Sequence, residues 1–216
     1  MLECAQTVVC KGAYPNIPRV SDEMTRRRKP PQAHSQLRII GGLWRGRKLA
    51  FIPEEGLRPT PDRVRETLFN WLAPHIHDAR CLDLFAGSGA LGLEALSRGA
   101  AHCDFVDASA GASARIADHL LTLNAGAQGQ ALCRDWAAHV DSGPAPYDIV
   151  FLDPPFQLPL IEPVSQALTQ GRLLAPGALV YVETAAGDTP TVPDSWEAFR
   201  EKRAGDVAYR LYQTGD

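Results

Sequence analysis

No run of eighteen apolar residues occurs anywhere in the 216-residue chain, so no segment has the length and hydrophobicity of a membrane-spanning helix. The chain does not open with a charged stretch followed by an apolar one, which is the pattern of a secretory signal. A soluble, cytoplasmic protein is expected. Five cysteines, Cys4, Cys10, Cys81, Cys103 and Cys133, are odd in number and lack any C-x-x-C spacing. Cys81 and Cys103 lie in apolar strand patterns, so core packing is expected there rather than redox or metal chemistry, and no metal is predicted. His75, His77, His102, His119 and His139 show no convergent spacing and receive no catalytic role. With 45% hydrophobic residues, the chain can build one domain with a substantial core and is short for two.

The modest net charge of −3 hides an asymmetry. Residues 1–66 hold 13 of the 22 Lys and Arg but 7 of the 25 Asp and Glu, a net of +6, which leaves −9 for the remainder. A localised basic front end suits nucleic acid even where the overall charge is acidic. The first thirty-odd residues carry no helical or strand period. Pro15, Pro18, Pro30 and Pro31 interrupt them, and Arg26 to Lys29 form a charge run, so residues 1–36 are expected to be a disordered tail.

What is present in strength is a ligand loop. Asp83-Leu84-Phe85-Ala86-Gly87-Ser88-Gly89-Ala90-Leu91-Gly92 follows a short apolar run and opens a helical pattern. Gly87 and Gly89 permit a tight turn and close approach to a ligand, and Gly92 lets the helix pack near the strand it has just left. This is also the spacing of a dinucleotide fingerprint, with Asp107 standing where a ribose-binding carboxylate would follow. On the loop alone, a hydride-transfer enzyme using NAD and any other user of an adenosine-containing cofactor remain equally open.

A second stretch narrows the chemistry. The apolar strand Tyr147 to Leu152 ends in Asp153-Pro154-Pro155-Phe156. Two successive prolines fix a rigid, extended turn at the carboxyl edge of the strand, where open α/β sheets bind ligands. Asp153 and the Pro154 carbonyl can accept the two N–H groups of an exocyclic amine while Phe156 stacks on the ring that bears it. Hydride transfer has no use for such a set.

At these residues the chain resembles the class I S-adenosylmethionine-dependent methyltransferases that modify exocyclic amines. Upstream, Arg38-Ile39-Ile40-Gly41-Gly42, Trp44-Arg45-Gly46-Arg47 and Arg58-Pro59-Thr60-Pro61-Asp62-Arg63-Val64-Arg65-Glu66-Thr67-Leu68-Phe69-Asn70 resemble the RsmD family, which methylates a guanine N2 in small-subunit (16S) ribosomal RNA. The likeness runs from about Leu37 to the C-terminus. It implies a Rossmann-like α/β fold, with a seven-stranded, mostly parallel sheet and an antiparallel C-terminal strand. It also implies a monomer acting on the small ribosomal subunit. Because the likeness is absent from the first thirty-odd residues and Met24 immediately precedes the basic run, translation is expected to begin at Met24, residues 1–23 being an artefact of start assignment.

The resemblance assigns roles to residues. Asp83 would receive the ammonium of the cofactor's methionine part, with a helix cap as the plain alternative. Phe85, Gly87 and Gly89 would cradle methionine and ribose, Asp107 would hold the ribose hydroxyls, and Asp135 would meet the adenine amine. Many relatives carry Glu where this chain has Asp107. Asp153, Pro154, Pro155 and Phe156 would form the catalytic motif. Residues 37–78 would make a basic, RNA-facing hairpin and helix, and residues 79–216 the cofactor-binding catalytic domain. Arg38, Arg45, Arg47 and Lys48 of the hairpin are expected to face RNA. Arg58, Arg63 and Arg65 would anchor phosphates or close over the cofactor. A DNA adenine-N6 methyltransferase and a non-catalytic, RNA-binding ribosome-assembly module are the competing readings.

Local pattern predicts the elements in detail. Leu37 to Phe51 should form a hairpin turning at Gly41-Gly42, and a helix should follow with Thr60 as N-cap and Pro61 at the first helical position. Strands are expected at 80–85, 102–107, 129–134, 147–152 and 178–183, with helices at 90–98, 110–124, 136–141 and 159–170. A closing antiparallel hairpin is expected from Trp196–Arg203 and Val207–Gln213.

Overall fold

The computed structural model describes residues 35–51 and 60–215. Most of the expected tail, the Met24 start and Arg58 lie outside the described residues. Two short strands, β1 (Ser35–Arg38) and β2 (Lys48–Phe51), pair antiparallel, and β1 thus begins two residues before the expected boundary. Helix α1 (Asp62–Leu72) follows. From Arg80 the chain alternates: β3 (Arg80–Leu84), α2 (Ala90–Ser97), β4 (His102–Asp107), α3 (Ala110–Thr122), β5 (Gly129–Cys133), α4 (Trp136–Asp141), β6 (Tyr147–Leu152), α5 (Ile161–Gln170) and β7 (Leu174–Ala185). Strands β8 (Trp196–Ala204) and β9 (Val207–Thr214) close the chain.

The main sheet has seven strands in the order β5-β4-β3-β6-β7-β9-β8. Strands β3 to β7 run parallel, and β9 lies antiparallel between β7 and β8. This is the predicted Rossmann-like methyltransferase sheet. Its central strands are apolar on both faces, as a parallel sheet covered on each side requires. Cys81, Cys103, Phe105, Ile149, Phe151, Leu179 and Tyr181 pack with residues of α1, α2 and α3. The intervening Leu82, Leu84, Val106, Val150, Leu152, Val180 and Val182 pack beneath α4 and α5. Strand β7 starts four residues earlier than predicted because a register shift between Tyr147 and Ile149 of β6 takes up the Pro176-Gly177 bend.

Two local readings are corrected. The Thr60 side chain does not cap α1: Pro61 occupies the cap position without any side-chain bond, and the Thr60 hydroxyl is turned to Asp153. The hairpin does not turn at Gly41-Gly42. The chain reverses over Gly42 to Gly46, where Arg45 N–H bonds the Gly42 carbonyl and Gly46 N–H bonds the Ile39 carbonyl. Gly42 serves a close approach instead. A Cβ there would lie 1.8 Å from the Ser97 carbonyl oxygen at a φ of +74°, which excludes any larger residue.

That approach belongs to a rivet between the hairpin loop and α2. Glu94 is fully buried. Its Oε2 accepts Ile40 N–H at 2.8 Å, and its Oε1 accepts Gly41 N–H at 2.8 Å and Arg98 Nε at 2.7 Å. Arg65 Nη1 stands 3.6 Å away. Ser97 adds a second tie, accepting Trp44 N–H and donating to the Gly41 carbonyl.

At the amino edge of the sheet another buried polar set closes on itself. Tyr147 O–H donates to Asp104 Oδ2 at 2.7 Å, so the Tyr147 oxygen must accept from His139 Nε2 at 3.0 Å. Neutral His139 is therefore the Nε2–H tautomer, and burial pushes its pKa below the ordinary value. The folded state then binds fewer protons than the unfolded chain once the pH drops below about 6.5. Stability should fall as the pH is lowered through that window. Denaturant melts at pH 7.5 and 5.5 should show a smaller acid-side loss in His139→Gln than in the parent protein.

Candidate active site at the carboxyl edge of the sheet

The apolar face under α1 and α2 changes character at the carboxyl edge. Two residues beyond Cys81, Phe105, Phe151 and Tyr181 stand Asp83, Asp107, Asp153 and Glu183. Because side chains alternate with a period of two, these four carboxylates continue the same face. Leu152 of β6 is the partner of Val182 in β7, so Asp153 and Glu183, one residue on in each strand, are neighbours across the parallel pair.

Asp83 is buried and its Oδ2 accepts Gly92 N–H at 2.9 Å, the cap-like bond anticipated as its plain role. The loop that follows is held under strain. Phe85 has φ +95°, while Gly87 and Gly89 have φ +51° and +76°, and a non-glycine residue in that region persists only where its surroundings enforce it. Here the enforcing contacts are Phe85 N–H and Ala86 N–H, both bonded to the Val106 carbonyl at 3.0 Å. Asp107 Oδ2 accepts Gly87 N–H at 2.8 Å and its Oδ1 accepts Ser109 N–H at 2.8 Å, which fixes that carboxylate between the loop and the end of β4.

Gly92 brings α2 against β4. A Cβ there would lie 2.2 Å from the Phe105 ring and 2.7 Å from Cys103 Sγ. Gly92→Ala should therefore destabilise the fold by about 1–3 kcal/mol through overpacking, read as a shift in urea midpoint, even though alanine ordinarily favours a helix.

Asp153 is half-buried, Pro154 is buried and Phe156 is 43% exposed, so the ring can meet an incoming planar group. Thr60 Oγ1 donates to Asp153 Oδ2 at 3.2 Å. Burial, then the charges of Glu183 and Asp83, push the Asp153 pKa well above the ordinary carboxylate value, against the Thr60 bond. Burial likewise raises Glu183, opposed by the Tyr181 O–H that donates to it at 2.7 Å. Burial also pushes Asp83 up to about 7, the Gly92 bond opposing and Asp107 adding to the rise. The edge therefore suits a ligand that brings positive charge and N–H or O–H donors. Among the described residues no His, Cys, Asp and Glu cluster has metal-binding geometry.

Asp135 lies exposed after β5, where its Oδ1 accepts Ala138 N–H and caps α4. On the hairpin side Arg45, Arg47, Lys48 and Arg63 are exposed. Arg38 is exposed too but pairs with Asp62 at 2.9 Å, and Arg47 donates to the Thr122 carbonyl. Arg65 departs from its expected place. It is 2% exposed, with Nη2 donating to Asp62 Oδ1 at 2.6 Å and to the Arg38 carbonyl at 2.9 Å, so it holds the hairpin to α1 and cannot face a phosphate.

Thr60, Glu183 and Glu94 were missed by sequence reasoning. Thr60 gave a capping signal that fitted another role, and Glu94 looks like any helix-surface glutamate. Glu183 carried a usable signal, since it ends an apolar strand as Asp153 does.

The family described as Conserved hypothetical protein 95 matches residues 37–213. Ribosomal RNA small subunit methyltransferase D of Escherichia coli K12 is 51% identical over 188 residues, covering 86% of this chain and 94% of that one. The chain belongs to the RsmD family. The Haemophilus influenzae protein of the same name is 45% identical, covering 85% of this chain and 96% of its own. The solved structure of Escherichia coli yhhF superposes with a TM-score of 0.78 at 49% identity, covering 84% and 99% of the two chains. A more distant methyltransferase, solved in complex with SAH, has a TM-score of 0.66 at 16% identity over 87% of this chain and 57% of its own, a likeness of fold alone. The RsmD match spans the hairpin, the glycine loop and the Asp153 turn together. No helix among the described residues is long and apolar enough to cross a membrane.

Proposed function

We propose that this protein transfers a methyl group from S-adenosylmethionine to the exocyclic N2 of a guanine in 16S ribosomal RNA, within the small ribosomal subunit. The observation that carries the reading is the rigid Asp153-Pro154-Pro155-Phe156 turn, with Asp153 held by Thr60 on the same face as Asp83 and Asp107. The names of the RsmD relatives supply the class of RNA.

When bound, the cofactor supplies a methyl group on a cationic sulfur. Asp83 meets its ammonium, the backbone from Phe85 to Gly89 lines its methionine and ribose, Asp107 accepts from the ribose hydroxyls and Asp135 from the adenine amine. The carboxylates gathered at this edge fit a cationic ligand. On the substrate side, Asp153 and the Pro154 carbonyl accept the two N–H groups of the guanine amine. That orients the nitrogen lone pair and stabilises the positive charge developing on it. Asp153, its proton affinity raised by burial and by Glu183, then takes the surplus proton. Phe156 replaces the stacking that the base loses on leaving its neighbours. Arg38, Arg45, Arg47, Lys48, Arg58 and Arg63 attract RNA phosphates.

The test is methyl transfer from isotope-labelled S-adenosylmethionine to small subunits isolated from cells lacking the gene, followed by nucleoside mass analysis. N2-methylguanosine is the expected labelled product. Label in N6-methyladenine of a DNA control would transfer the chemistry to another substrate, and no label with the cofactor bound would leave a binding module.

A further inference from the structure

Glu183 is a buried carboxylate at the active edge to which the mechanism above gives no contact with substrate or cofactor. It sits on the strand next to Asp153 and at the same level, as the Leu152–Val182 pairing requires. Two neighbouring carboxylates on one face, Glu183 buried and Asp153 half-buried, each oppose the ionisation of the other. No Lys or Arg is bonded to either one among the described ion pairs and hydrogen bonds. The groups that face them are Thr60, which donates to Asp153, and Tyr181, which donates to Glu183, with Asp83 nearby on β3. Asp107 lies beyond Asp83, and Tyr209 beyond Tyr181.

We propose that Glu183 is a positioning residue for proton removal: it acts through Asp153, its charge set behind the Asp153 carboxylate so that this group captures the proton leaving the substrate amine. The inference rests on the guanine-N2 reading of the site. The amine nitrogen uses its electron pair to form the new N–C bond, while the C–S bond breaks with its pair going to sulfur. The nitrogen, now cationic, releases one proton to ionised Asp153, which passes it to water as product leaves. An isolated aspartate near its ordinary pKa would hold that proton weakly at neutral pH. The charge of neighbouring Glu183 opposes ionisation of Asp153 and so strengthens its hold on the captured proton. The Tyr181 hydroxyl favours the ionised form of Glu183 against its burial, and the Thr60 hydroxyl bonds one oxygen of Asp153.

The decisive measurement is the pH profile of kcat for N2-methylguanosine formation by the full-length protein on small subunits, alongside the Kd for S-adenosylmethionine. Glu183→Gln keeps the shape and leaves an amide oxygen for Tyr181 but removes the charge. The acid limb of the profile should then move to lower pH by roughly one unit or more, with cofactor Kd changed less than about threefold. Tyr181→Phe, which deletes the hydroxyl that favours ionised Glu183, should move the limb the same way by a smaller amount, and it carries the test should Glu183→Gln not fold. A parent protein that makes no N2-methylguanosine would remove the underlying reading before any variant is compared. An active parent with both variants' acid limbs unmoved would overturn the role of Glu183. An unmoved limb with cofactor affinity lost would do the same, assigning Glu183 to cofactor binding instead.

Discussion

Asp153→Ala is expected to lower methyl transfer by at least about a thousandfold while cofactor affinity stays within about tenfold, or 1.4 kcal/mol. The separation follows from position. Asp153 follows β6 and meets the amine in the proposed reading, whereas Asp83 lies on β3, the glycine loop follows that strand and Asp107 ends β4. The same substitution should stabilise the ligand-free fold, on the order of 1 kcal/mol. Its carboxylate is held beside Glu183 and Asp83 with one hydroxyl as its bonding partner among the described contacts, so removal relieves repulsion and leaves one donor, Thr60, to find water. Turnover by single-round label transfer, affinity by calorimetry and the thermal midpoint without ligand check the three parts. Parental turnover would end the assignment of Asp153.

Glu94→Gln should destabilise the protein by about 3–5 kcal/mol, the range for breaking a buried charge set by removing one partner. Glutamine fits the space but presents an NH2 group where one carboxylate oxygen now accepts from backbone N–H, placing donor against donor. Arg65 and Arg98 would keep their charges next to an uncharged side chain at zero exposure. The urea midpoint measures the loss, and limited proteolysis should show cleavage between Ile39 and Arg47 before the sheet opens. A change under about 0.5 kcal/mol, typical of an exposed site, would mean that the rivet does not bear on stability.

The sheet was legible because its signals are local. Most parallel strands carry a short apolar run that ends at a carboxylate, as Phe105-Val106 does at Asp107 and Ile149 to Leu152 at Asp153, and helices α3 and α4 begin at Ser109 and Asp135, which do cap them through Ala112 and Ala138 N–H. The candidate site was proposed from contiguous motifs, Phe85 to Gly89 and Asp153 to Phe156, which the fold brings to one edge of the sheet. What escaped depends on residues far apart in the chain. Thr60 meets Asp153 across 93 positions, and Glu94 meets Ile40 across 54. Arg65 shows the same limit in reverse, since its place in a basic segment suggested phosphate contact while the fold spends it on Asp62 and a backbone carbonyl. Nothing in the spacing of a lone arginine distinguishes those fates.

The rivet between the hairpin loop and α2 also orders events in time. Residues 39 to 44 leave the ribosome some fifty positions ahead of Glu94 and Ser97, the groups that complete their backbone hydrogen bonds. A two-stranded ribbon is marginal in water by itself, so the segment made early must wait, while β3 gains its two neighbours only after β4 and then β6 have been synthesised. The hairpin segment is thus translated before the helix it docks on and is among the later parts to settle, its docking governed by contacts of long sequence separation.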